Sequence, residues 1–168
     1  MRIGQGIDIH PFSADPHRPL VLGGVVVPGA RGLDGHSDAD AVAHAVADAL
    51  LGAAGLGDLG LHFPDDDPAW AGADSMSLLA TVVTRVAERG LRVTNVDCTV
   101  VAEAPRLSGH RDRMAERLSA TVGAPVSVKA TRAEGLGALG RAEGVACVAV
   151  ALLEEVDVRS GPAAGAGR

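Results

Sequence analysis

Residues 2–10 alternate in character, with Ile3, Ile7 and Ile9 on one parity and Asp8 and His10 on the other. That pattern predicts a strand, expected to be buried, with the isoleucines filling one side. LVLGGVVV at 20–27 predicts a second strand, stopped by Pro28-Gly29 and separated from the first by the loop SADPHRP. Val42, Val46, Ala49, Leu50 and Ala53 recur at helical spacing. They predict a helix capped by Ser37 or Asp38 and ended by Gly55 or Gly57. GDLGLHFPDDDPAWAGAD reads as a long polar connection. A second helix is expected over 74–89, with Leu78, Leu79, Val82, Val83 and Val86 inward and Gly90 at its end.

Downstream, LRVTNVDCTVVAE predicts a strand stopped by Ala104-Pro105. Ser108 is the expected cap of a third helix through RDRMAERLSATV, closed by Gly123. VSVKAT is a short strand, TRAEGLGALGRAEG a glycine-rich loop and VACVAVALLEEV a final strand. The order β-β-α-α-β-α-β-β implies an α+β domain with helices on one face of a mixed sheet. One domain is expected over residues 1–157, followed by a disordered tail at 158–168 with little to bury.

Composition narrows the function classes. The net charge of −6 argues against general binding to nucleic acid or to an anionic membrane, so an anionic ligand needs a local site. Among the basic residues, Lys129 is the single lysine. Cys98 and Cys147 lie far apart in apolar runs and are expected as buried free thiols in a reducing compartment. No secretory signal pattern is visible, and no stretch approaches the roughly 18 apolar residues of a membrane span. A soluble cytoplasmic protein is expected.

Three segments carry candidate chemistry. Residues i and i+2 of a strand share a face, so Asp8 and His10 converge. A buried carboxylate there needs a partner or a cation. In the following segment His36, Asp40, His44 and Asp48 recur every four residues, a polar stripe that could aim a histidine at the pair. One Asp and two His leave a tetrahedral position open, the pattern of a catalytic zinc. A plain Asp–His hydrogen bond beside a solvated stripe fits the same spacing, which does not choose between them or between His36 and His44. VKATRAEGLGALGRAEG offers Lys129, Thr131, Arg132, Arg141 and many amides to a phosphate, with Glu134 either an ion-pair partner or a ligand for Mg²⁺ on a diphosphate. It is equally readable as a mobile connection. Asp65, Asp66 and Asp67 form a solvated turn or accept hydrogen bonds from a polyol.

Taken together, RIGQGIDIHPF, LGGVVVP, GLDGHSDADAVAHAVADALLGAAGLGDLGLHFPDDDPAWAGADS, NVDCTVVAEAPRL, VKATRAEGLG and GRAEGVACVAVALL resemble the 2-C-methyl-D-erythritol 2,4-cyclodiphosphate synthase family of non-mevalonate isoprenoid biosynthesis. The resemblance implies conversion of 4-diphosphocytidyl-2-C-methyl-D-erythritol 2-phosphate to the cyclic diphosphate and CMP. It also implies a four-stranded mixed sheet with a small N-terminal hairpin, and a homotrimer with sites at subunit interfaces. By the same match, Asp8, His10 and His44 hold Zn²⁺, and Glu134 holds Mg²⁺ or Mn²⁺ with the substrate phosphates. His36 and Ser37 meet the 2-phosphate, His36 stabilising the transition state. Asp58 and Gly60 belong to a substrate-facing loop, and Phe63, Asp65 and Asp67 line the methylerythritol pocket. Ala102, Ala104, Arg106 and Leu107 wrap cytosine; Ala130, Thr131, Arg132 and Glu134 hold the diphosphate. Ala138 and Arg141 complete the substrate-facing set, Asp8 and His10 also facing substrate. Asp48 is expected to support a zinc-bound imidazole.

Departures from the family pattern are local. Arg132 stands where a threonine linked to transition-state stabilisation is common, and either takes over that task or points away. Ala138 replaces an aromatic, Arg106 a lysine and Gly109 a proline. Two rival readings are a zinc-dependent phosphoester hydrolase, which would use water as nucleophile, and a trimeric binding module without turnover.

Overall fold

The computed structural model of the chain describes residues 1–156; the expected tail, and Asp157 before it, lie outside the described residues. Strands β1 (Arg2–Pro11), β4 (Leu91–Val101), β5 (Val126–Thr131) and β6 (Gly144–Glu155) form a sheet in the order β1-β6-β4-β5. β6 is antiparallel to both β1 and β4, whereas β4 and β5 run parallel. A parallel pair needs a crossover, which α4 (Arg111–Val122) supplies. The sheet is therefore mixed, as expected for this α+β domain. α1 (Ala41–Ala54) packs on β1 and β6, while α3 (Ser75–Glu88) and α4 pack on β4 and β5.

The expected strand at 20–27 is instead a separate hairpin, β2 (Leu20–Leu22) and β3 (Val25–Val27). Gly23 and Gly24 take φ of 56° and 70°, which a two-residue hairpin turn requires and a continuous strand forbids. The first helix starts at Ala41, capped by Asp40 rather than by Ser37 or Asp38. The Asp40 carboxylate accepts the amides of Val42 (3.0 Å) and Ala43 (3.1 Å), and also those of Gly23 (2.8 Å) and Gly24 (2.6 Å) in the hairpin turn. One buried carboxylate thus caps a helix and ties a hairpin to it. Burial pushes its pKa up against the pull of those amides.

β1 is not buried on both faces. Ile3, Ile7 and Ile9 are 74%, 53% and 61% exposed, and Val150 of β6 is 43% exposed on the same apolar surface. Towards α1 the strand presents Gly4, Gly6, Asp8 and His10. A Cβ on Gly4 would sit 2.0 Å from the Ala49 carbonyl, and one on Gly6 2.0 Å from the Ala45 carbonyl. Helix and strand backbones therefore touch with no side chain between them, and the first turn of α1 lies over Asp8 and His10.

Smaller elements also depart from expectation. The connection before α3 contains α2 (Leu59–His62) and a 3₁₀ turn at Pro68–Trp70. The glycine-rich loop contains a one-turn helix, α5 (Gly137–Gly140). α4 begins after His110 with no side-chain cap, not at Ser108, and β4 ends at Val101 rather than at residue 103. α3 agrees with expectation, with Asp74 as its N-cap and Val83 only partly buried.

Candidate metal centre and substrate clefts

His44 sits in the first turn of α1, and the close approach of that helix to β1 sets it against Asp8 and His10. Asp8 Oδ2 lies 3.0 Å from His10 Nε2 and 3.1 Å from His44 Nδ1, and the two nitrogens are 3.3 Å apart. Tetrahedral zinc with bonds of about 2.0–2.1 Å spaces its ligand atoms by roughly 3.3 Å. The three donors already have nearly that spacing, and they are the only group of three such ligands among the described residues.

The outer ring nitrogens are engaged as a metal site requires. His10 Nδ1 lies 2.7 Å from the Asp34 carbonyl, to which it can only donate. His44 Nε2 lies 2.8 Å from Ser75 Oγ and 3.2 Å from Ser37 Oγ. The expected support from Asp48 is absent here, because its Oδ1 accepts the amide of Leu59 at 2.7 Å and so joins α1 to α2. Burial raises the Asp48 pKa. Burial also works against the Asp8 carboxylate, but the neighbouring His10 and His44 rings outweigh it and hold its pKa far below the ordinary 3.8. For His10 burial favours the neutral ring, yet Asp8 and the Asp34 carbonyl prevail and raise its pKa above 6.5.

The triad opens on a cleft of about 580 Å³ that also holds His36, Ser37, Asp58, Gly60, Phe63 and Asp65. His36 precedes the helix, its Nε2 3.2 Å from the Asp67 carbonyl, so His44 and not His36 joins the triad. Asp58 caps α2 through the Leu61 amide at 2.9 Å. Phe63 meets Trp70 edge-on at 5.0 Å and lies under the Arg85 guanidinium at 5.2 Å. Asp67 caps the 3₁₀ turn and does not line the cleft. Trp70, Leu59 and Leu78 do line it, although nothing in their sequence context marks them.

A second cleft, of about 570 Å³, brings together Ala102, Ala104, Arg106, Leu107, Ala130, Thr131 and Arg132. Glu103, inside the stretch 102–108 expected to wrap the base, lines it too, as does Arg111, which sequence reasoning missed. The Arg132 guanidinium is exposed and doubly hydrogen-bonded to Glu103 Oε1, through Nε at 2.9 Å and through Nη2. That ion pair lowers the Glu103 pKa. Glu134, Ala138 and Arg141 line neither cleft; Arg141 pairs with Glu143 at 2.6 Å, and Glu134 holds a φ of 51°. The clefts share no residue, one lying at β1 and the other at β4 and β5 on the far side of the sheet.

Known proteins place the fold and its family. The family model described as YgbB family matches residues 1–154. A curated 2-C-methyl-D-erythritol 2,4-cyclodiphosphate synthase of Symbiobacterium thermophilum is 56% identical over 156 residues, which is 91% of this chain and 98% of that protein. A solved 2C-methyl-D-erythritol-2,4-cyclodiphosphate synthase with CDP bound superposes with a TM-score of 0.82 at 37% identity, over 91% of this chain and all (100%) of the other. The bifunctional IspDF of Campylobacter jejuni superposes with a TM-score of 0.88 at 40% identity, over 93% of this chain and 42% of that larger one. With fold and sequence in agreement over nearly the whole described length, the chain belongs to the YgbB family of 2-C-methyl-D-erythritol 2,4-cyclodiphosphate synthases.

Proposed function

We propose that the chain converts 4-diphosphocytidyl-2-C-methyl-D-erythritol 2-phosphate to 2-C-methyl-D-erythritol 2,4-cyclodiphosphate and CMP, in the cytoplasm, as a lyase of isoprenoid biosynthesis. The observation that carries the reading is the Asp8–His10–His44 triad opening on the cleft that holds His36 and Ser37. An oxygen of the substrate's 2-phosphate attacks the β-phosphorus. The bond from that phosphorus to the bridging oxygen breaks, and its electron pair leaves with CMP. The nucleophile is already ionised, so the protein's task is to orient and to neutralise charge. Zn²⁺ at Asp8, His10 and His44, and Mg²⁺ or Mn²⁺ at Glu134 with the substrate phosphates, would supply Lewis-acid polarisation.

The chain's own groups do the rest. His36 and Ser37 grip the 2-phosphate, and His36 offers a proton donor where charge builds. Asp58 and Gly60 face the substrate, Phe63 and Asp65 seat the methylerythritol, and Asp67 shapes that pocket through the turn it caps. Ala102, Ala104, Arg106 and Leu107 close on cytosine. Ala130, Thr131, Arg132 and Glu134 hold the diphosphate, with Ala138 and Arg141 behind them, and Glu103 orients the guanidinium.

A homotrimer follows from the same reading. The metal cleft and the base cleft lie at opposite edges of one sheet, so a ring of copies would bring unlike edges together. The exposed face of Ile3, Ile7, Ile9 and Val150 suits burial between copies.

The test is ³¹P NMR of the protein with this substrate, Zn²⁺ and Mg²⁺. Cyclic diphosphate and CMP are the expected products. Linear phosphates would mean that water attacks and would replace the synthase with a hydrolase. Unchanged substrate with folded, metal-loaded protein would leave a binding module.

A further inference from the structure

We propose that Ser75 and Asp38 form a hydroxyl–carboxylate relay that locks His44 as the Nε2–H tautomer and so keeps its Nδ1 lone pair turned towards the cation. The inference rests on the metal reading above and deepens it. Ser75 is the first residue of α3 and is 1% exposed. Its hydroxyl has a single hydrogen, donated to Asp38 Oδ1, which as a carboxylate oxygen can only accept. Asp38 is held in place for this by three further bonds, from the Ser75 amide to Oδ2 at 3.3 Å, from the Asp40 amide to Oδ1 at 3.2 Å and from its own amide to the Ala73 carbonyl at 3.0 Å.

With its hydrogen committed, Ser75 Oγ offers only lone pairs to His44 Nε2, 2.8 Å away. Ser37 Oγ, 3.2 Å from the same nitrogen, accepts the Ala39 amide at 3.1 Å and lies 3.3 Å from Ser75 Oγ. With the Ser75 hydrogen committed to Asp38, Ser37 is the donor of that pair, so its hydrogen is turned away from the ring and it too offers Nε2 a lone pair. Nε2 is therefore the donor and carries the ring proton. The alternative tautomer would put that proton on Nδ1, 3.1 Å from Asp8 Oδ2. His44 and Asp8 would then bond to each other and close the place of the cation. Removing either member of the relay frees that alternative. Ser75 and Asp38 touch no substrate in this account; they are positioning residues for a ligand.

The test measures Zn²⁺ affinity of the full chain by competition with a chromophoric chelator, and the His44 tautomer by long-range ¹H–¹⁵N NMR of the metal-free protein. Wild type is expected to show Nε2–H. Ser75→Ala is expected to bind Zn²⁺ about 10–100-fold more weakly, with His44 shifted to Nδ1–H. Asp38→Ala, which lets the serine donate to the ring instead, should weaken binding in the same sense, whereas Ser75→Thr should stay close to wild type. Zn²⁺ affinity of Ser75→Ala within twofold of wild type, with Nε2–H retained, would overturn the relay. If that variant does not fold, Asp38→Ala and the wild-type tautomer decide, an Nδ1–H wild type overturning it equally. A wild type that binds no Zn²⁺ would instead overturn the metal reading, and the tautomer would still judge the relay.

Discussion

At the scale of single residues, the metal-free triad has a pH signature. His10 has a raised pKa, so the stability it lends is present below 6.5 and is lost as pH climbs through its folded value. Asp8 has a lowered pKa, so its contribution is present above 3.8 and is lost as pH falls from there. Urea melts in EDTA should therefore show these two contributions together between those limits and a decline as pH rises beyond 6.5. Zn²⁺ affinity should fall on acidification from a higher pH than an ordinary histidine would impose, since binding must expel the His10 proton. Arg132 supplies a second residue-level test. If its guanidinium meets the transition state, Arg132→Ala should lower kcat about 100-fold with KM little changed. Equal kcat would show that the ion pair with Glu103 is all it does. Asp8 and His10 were legible because strand parity puts them on one face. The choice of His44 over His36 was not, because it depends on the helix starting at Ala41, which spacing alone did not reveal. Ser75 and Asp38 lie 37 positions apart in the chain, and no local pattern pairs them.

Between elements, the contact of α1 with β1 governs the site. Gly6→Ala would drive a methyl into the Ala45 carbonyl and lift the helix, and with it His44. Destabilisation of about 3 kcal/mol is expected in urea, with Zn²⁺ binding lost in parallel. Asp40→Ala strands four amides and should cost about 2–4 kcal/mol, without touching a metal ligand. The long elements could be read from the sequence because their apolar period persists over several turns or strand repeats. The pieces that escaped, α2, the 3₁₀ turn and α5, are four residues or fewer and too short to show a period. Nothing in the local pattern explains Gly4 and Gly6. Their reason is the helix behind them, which only tertiary packing shows.

For the whole molecule, strand order decides what meets what. Neither the separation of the two clefts nor the exposed isoleucine face follows from local pattern, since both depend on β6 entering between β1 and β4. Ile7→Asp should turn the proposed trimer into monomers in sedimentation while leaving the circular dichroism unchanged, and activity should disappear with the assembly. A trimer of unaltered mass would remove that face from the interface.

The opposed edges have a genetic consequence. If each active site joins the metal edge of one copy to the base edge of the next, two dead variants damaged on different edges can complement one another. His44→Ala and Glu134→Ala, each inactive alone, would form hybrid rings when co-expressed in equal amounts. About a quarter of the junctions would then be intact, and activity should return to about that fraction of wild type. Failure to recover any activity from hybrid rings of confirmed composition would mean that each copy builds its site from its own two edges.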